Sequence, residues 1–140
     1  MSTQRRCRVK LVNNIGRKIN VEVFRHTNGI NDWTERPGIL LPGQTWGPRE
    51  LDYETGIFSN VDHWYVQFTD DIGASFSNDS GFDCSPESED ENKEITVSIE
   101  GKLKVTMSDG DSCSESWESP AIISVSSPPP RQREAGSARD

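Results

Sequence analysis

Apolar side chains return at every second position over much of this chain, and that period of two constrains the fold more than any other feature. Ile95, Val97 and Ile99 alternate with polar residues up to Glu100-Gly101, and Leu103, Val105 and Met107 alternate away from it. This pattern predicts a hairpin with Gly101 at positive φ in its tip. In His63-Trp64-Tyr65-Val66-Gln67-Phe68-Thr69, Trp64, Val66 and Phe68 share one face, which predicts a central strand. Asp70-Asp71-Ile72-Gly73 then turns the chain into Ala74 to Ser77. Near the N-terminus, Cys7, Val9 and Leu11 alternate with Arg8 and Lys10. After Asn14-Ile15-Gly16, the residues Ile19, Val21 and Val23 do the same, so these two runs read as a second hairpin.

Helices with broad apolar faces would need more Leu, Ala and Met than a chain with 31% hydrophobic residues contains. Short strands need less, because only one face of each is buried. The expected fold is therefore all-β, an antiparallel two-sheet β-sandwich over residues 1–125. Trp64, Val66 and Phe68 are expected in its core. Residues 126–140 include three consecutive prolines and no apolar residue larger than Ala, and read as a disordered tail. A last strand is expected to include Trp117 or Ala121 to Val125.

The 140 residues carry a formal charge of −8, which repels phosphate backbones and excludes general nucleic-acid binding. Arg5, Arg6, Arg8 and Lys10 read as the solvated flank of an edge strand. The sequence contains neither the apolar run of about 7–15 residues of a signal peptide nor the roughly 18 of a transmembrane segment. That pattern fits a cytoplasmic protein, or one exported without a recognisable signal. Cys7, Cys84 and Cys113 are an odd set without CxxC spacing, and reduced thiols are the expectation in the cytosol. Under secretion, a Cys84–Cys113 disulfide and the sequon Asn78-Asp79-Ser80 would come into play.

Enzymatic motifs are missing: the sequence has no phosphate loop, no HExxH and no CxxC pair. A cysteine hydrolase would need Cys84 or Cys113 beside His63, and no local context supports that pair. Calcium would need acidic loops to converge. The candidates are Asp70 with Asp71, Asp109 with Asp111, and Glu87 to Glu91, the last within an acidic run expected to be a mobile loop. The aromatics outside regular strands offer a different chemistry. Trp33 and Trp46 fall in a Gly/Pro-rich stretch, and Tyr53 and Phe58 flank Thr55-Gly56. At loop tips such rings would dock into a lipid interface or a partner surface. The predicted binding set is Trp33, Trp46, Tyr53 and Trp64, with Arg36 or Arg49 contacting an anionic head group.

Short motifs also carry a resemblance. Tyr53-x-Thr55-Gly56, Asp62-x-Trp64-x-Val66 and the Asp71-x-Gly73 turn resemble the Up-regulated-in-Daf domain family. Val12-Asn13-Asn14, Leu41-Pro42-Gly43-Gln44-Thr45 and Ser112-Cys113 fit the same pattern, which spans roughly residues 7–117. One departure is His63-Trp64-Tyr65, where the family pattern has a tryptophan pair. The resemblance implies a compact β-sandwich without a catalytic centre, in some members paired as a dimer. Its architecture is similar to that of aegerolysins, acidic β-sandwich proteins that recognise membrane lipids. The resulting expectation is a non-enzymatic module acting through protein pairing, as a homo- or hetero-dimer, or through lipid recognition by aromatic loops. A calcium-dependent binding module is the alternative.

Overall fold

A computed structural model describes residues 2–29, 32–57 and 59–118. Within them lie β1 (Ser2–Asn13), β2 (Ile19–Thr27), β3 (Trp33–Glu35), β4 (Gly38–Leu40) and β5 (Thr45–Gly56). The second half supplies β6 (His63–Asp70), β7 (Ser75–Ser77), β8 (Glu94–Ile99), β9 (Lys102–Thr106) and β10 (Ser112–Ser116). One sheet runs β10-β9-β8-β1-β5, and the other runs β3-β2-β6-β7 with β4 also paired to β2. All pairings are antiparallel except β1 with β8. The fold is an all-β sandwich of two sheets. The expected Ala121–Val125 strand and the 126–140 tail lie outside the described residues.

Alternation places the core. Cys7, Val9 and Leu11 of β1, Val97 and Ile99 of β8 and Leu103 and Val105 of β9 are buried from one sheet. Ile19, Val21 and Phe24 of β2 and Trp64, Val66 and Phe68 of β6 meet them from the other. The β8–β9 hairpin forms as expected, with Val97 opposite Val105. Gly101, however, is absent from the residues at positive φ. The Asp70–Gly73 turn also forms: Gly73 sits at φ +89°, and Asp70 Oδ1 accepts the N–H groups of Ile72 and Ala74.

Three expectations need correction. First, β1 and β2 are not a hairpin but belong to opposite sheets. A hairpin needs a loop that keeps both strands in one plane. Here the buried Asn13 side chain donates to Arg17 O at 2.8 Å and to Leu40 O at 3.0 Å, which turns the chain across the core. Second, β1 is no edge strand, since it lies between β5 and β8. Its basic residues meet acidic neighbours: Arg6 pairs with Asp52 at 2.6 Å and Lys10 with Glu94 at 3.0 Å. Third, the acidic run is tied down by a 3-10 turn, Ser88–Asp90. The buried Asp90 carboxylate accepts the Glu87 N–H at 2.9 Å and both the N–H and hydroxyl of Ser108. Burial works against its charge, but these donors outweigh it and hold the carboxyl below the usual range.

Candidate functional site

Two bulges decide which side chains face inward along one side of the sandwich. In β2, Val21 opposes Phe68 and Val23 opposes Gln67, so Glu22 is an extra residue. A one-residue insertion flips the parity of everything after it. Val23, expected inside, is therefore only half-buried, whereas Phe24 and His26 are fully buried. In β5 the register jumps between Arg49, opposite Val9, and Trp46, opposite Leu11. Gly47 makes the jump at φ +98°, where a Cβ would lie 3.1 Å from Val9 O. Trp46 and Tyr53 consequently both point inward although one number is even and the other odd.

The bulges bring Phe24 and Trp46 together across the space between the sheets. Their ring centroids are 5.7 Å apart, and Trp33 meets Phe24 edge-on at 5.1 Å. Trp64 stacks beneath at 6.4 Å. Arg49 lies over the Trp46 ring at 4.5 Å, and the exposed Arg36 donates to Glu22 O at 3.3 Å. Trp33 and Trp46 are half-buried. Toward the other end of β2, opposite Ile19 and Asn20, the β4 edge and its following turn carry Ile39 and Leu41, 56% and 53% exposed. This side, along the β3 and β5 edges, forms a seam floored by aromatic rings, with Arg49 over one ring and Arg36 bonded to the neighbouring β2 backbone.

Of the predicted binding residues, Trp33, Trp46 and Arg49 belong to this seam, and Arg36 flanks it. They reach it from strands or strand ends, because β3 and β5 run through the stretch expected to be loop. Two aromatics are returned to the core. Trp64 is fully buried, with Nε1 donating to Cys84 O at 2.7 Å. Tyr53 is also fully buried and donates to Glu87 O at 2.8 Å, and burial pushes its phenol upward. Phe58 lies outside the described residues.

The opposite side of the sandwich is built differently. Cys84 and Cys113 are bonded to each other, S–S 2.08 Å, contrary to the reduced state expected. The bond joins the segment bridged to β6 through Asp83 and His63 with β10 of the other sheet. Neither sulfur is thus a thiolate for a Cys–His pair, and His63 instead bonds Asp83 at 2.7 Å. Cys7 is buried, and burial, followed by Asp90 and Asp62, pushes its thiol up to about 12. A cleft of about 140 Å³ beside the disulfide is lined by Glu87, Asp90, Asp109 and Asp111 among others. Asp70 and Asp71 do not join it, so the expected convergence fails. Asp70 ends β6 opposite Ile19, whereas Asp109 and Asp111 follow β9 at the far end from its Ile99–Lys102 turn. Arg17 lies 3.8 Å from Asp70 and 4.0 Å from Asp71. Among the described residues, no group of three His, Cys, Asp or Glu side chains is placed to hold a metal ion.

Two buried polar groups escaped sequence reasoning. Asn78 of the sequon is 2% exposed, and its side chain accepts the Val66 N–H while donating to Trp64 O. It completes the pairing of β6, so the folded chain does not offer it for glycosylation. His26 and Asp62 are both fully buried and meet at 2.7 Å between Nε2 and Oδ1. No period signals His26, because its inward position follows from the Glu22 bulge.

No protein-family model matches this sequence, and comparison with curated proteins returns no match.

Proposed function

We propose that this chain is a non-enzymatic binding module whose recognition surface is the aromatic seam, and that it binds the anionic face of a membrane. The observation that carries this reading is one juxtaposition in an acidic protein. Arg49 stacks on the half-buried Trp46, Trp33 and Trp46 meet over Phe24, and Arg36 bonds the β2 backbone beside them. Half-buried tryptophans with a stacked arginine suit an interface that is apolar on one side and anionic on the other. Membership of the Up-regulated-in-Daf family, and a lipid-recognising role like that of aegerolysins, belong to the same proposal. The disulfide favours an oxidising compartment. No described helix is long and apolar enough to cross a membrane.

Sedimentation with vesicles of phosphatidylcholine alone and with added phosphatidylserine tests this reading. Binding to the anionic vesicles that weakens with salt, and is lost in Trp46→Ala, is expected. Equal absence of binding to both compositions would refute it. A second reading is pairing with another copy through the β5 edge, which among the described residues has β1 as its only strand neighbour. Sedimentation velocity decides between them, since a concentration-dependent dimer without vesicle binding favours pairing.

A further inference from the structure

The end of the sandwich where β2 begins carries aliphatic side chains in water. Ile19 pairs with Leu40 of β4 on one side and with Asp70 of β6 on the other. The turns that follow those two partners therefore project side by side, and each bears an exposed tip. Ile72 is 71% exposed in the Asp70–Gly73 turn, and Leu41 is exposed ahead of Pro42-Gly43. Both turns are held by bonds of their own. Asp70 Oδ1 holds two N–H groups of the first, and Gly73 N–H donates to Asp70 O at 3.2 Å. In the second, Leu41 N–H donates to Gln44 Oε1 and Gln44 N–H to Leu41 O, both at 2.9 Å. Trp46 is the seam tryptophan nearer this end, opposite Leu11 and one register step from the Val12–Thr45 pair. Trp33 lies opposite His26, toward the far end of β2.

Charge separates the two ends as well. At this end Arg17 lies 3.8 Å from Asp70 and 4.0 Å from Asp71, with exposed Lys18 beside it. On the other sheet, the Glu100-Gly101 turn leads directly into exposed Lys102. Cations and carboxylates thus match one for one here. At the opposite end Asp83, Glu87, Glu89, Asp109 and Asp111 are all exposed. Ile57 and Val61 are exposed there too, but an anionic surface repels the carboxylates that share their end. This acidic protein therefore has one end at which an anionic bilayer can approach aliphatic tips without repulsion.

We infer that the Leu41–Ile72 rim is the end that enters the bilayer, its aliphatic tips reaching the acyl boundary while Lys18 meets lipid phosphates. The inference rests on the membrane reading and deepens it by giving the bound protein an orientation. Trp46 then lies at the interface, and the acidic loops stay in water. Aliphatic side chains gain by leaving water, and turns whose backbone is bonded internally lose little there. Lys18 keeps its ammonium at head-group level on a flexible stem.

Co-sedimentation of the full chain with phosphatidylcholine vesicles containing phosphatidylserine tests this at exposed positions. Ile72→Ser and Leu41→Ser should each weaken binding by roughly tenfold. Val61→Ser, at the acidic end, should leave it unchanged. A nitrobenzoxadiazole dye on Ile72→Cys should brighten with vesicles, whereas the same dye on Val61→Cys should not. This pair decides the matter if a Ser variant melts early. Unchanged binding by both rim variants, with binding still lost in Trp46→Ala, would overturn the rim and leave the seam standing. Brightening at position 61 in place of 72 would overturn it too, since the acidic end would then face the lipid. A dimer that Ile72→Ser disperses, without vesicle binding, would make the rim a surface for a second copy and defeat the inference. Absence of any vesicle binding by the unaltered protein refutes the membrane reading itself, and the orientation with it.

Discussion

The two long sides of this sandwich face the same task of closing one sheet against the other, and they solve it by different means. On the β7–β10 side, closure is covalent and main-chain: Cys84 is bonded to Cys113, and Ser77 and Glu118 exchange backbone hydrogen bonds of 3.0 and 2.6 Å. Phe68 is enclosed there by Phe76 at 5.1 Å and Trp117 at 4.9 Å, and Trp117 Nε1 donates to Glu100 O at 2.8 Å. On the β3–β5 side Trp33 and Trp46 both rest on Phe24, and hydrogen bonds from Asn13 to Leu40 and to the Gly43-Gln44 turn enter at the β4 end. Ring contacts tolerate small shifts that a covalent bond and paired backbones do not. The comparison teaches that covalent and main-chain closure is confined to one side, and that the aromatic side, where recognition is proposed, is the more adaptable one.

Breaking the covalent side should have the largest effect. Replacing both Cys84 and Cys113 with Ala is expected to remove roughly 3–4 kcal/mol of stability, read from urea denaturation. Vesicle binding by the molecules that remain folded should be unchanged, and a loss of binding equal to the loss of fold would merge the two sides into one. Gly47→Ala comes next, at about 2 kcal/mol, because Ala must occupy a positive φ with its Cβ against Val9 O. It should also move Trp46, so thermal melts and vesicle binding should decline together. Arg49→Gln is the mildest, costing under about 1 kcal/mol by loss of an exposed cation–π contact. Its effect should show mainly as a weaker salt dependence of vesicle binding. A stability loss larger than that of Gly47→Ala would mean that Arg49 helps to build the seam.

Strand identity was legible wherever the period of two ran unbroken. β6, β8 and β9 lie where Trp64 to Phe68, Ile95 to Ile99 and Leu103 to Val105 place them. Legibility failed where register slips. Nothing local in Val21-Glu22-Val23-Phe24 announces that Glu22 is surplus, because a bulge is defined by the partner strand and not by its own residues. Trp46 and Tyr53 read as loop aromatics for the same reason, since Gly47-Pro48 imitates a turn while sitting inside a twelve-residue strand. The sheet assignment of β1 and β2 depended on a buried asparagine side chain, a tertiary fact that periodicity does not encode. Trp33 and Trp46 were read as loop-tip rings and lie half-buried on Phe24 instead, because the strands that cover them are distant in sequence.

The parallel pairing of β1 with β8 has a consequence for how the chain comes to be folded. Arg8 and Val9 find their neighbours only at Glu94 and Ile95, so a strand near the start of the sequence waits for one near the end of the domain. Until then one flank of β1 is an unpaired template for foreign strands, and contacts this remote in sequence form late. Of the cross-strand charges on its outer face, Arg6 with Asp52 joins β1 to β5, whereas Lys10 with Glu94 spans the late boundary to β8.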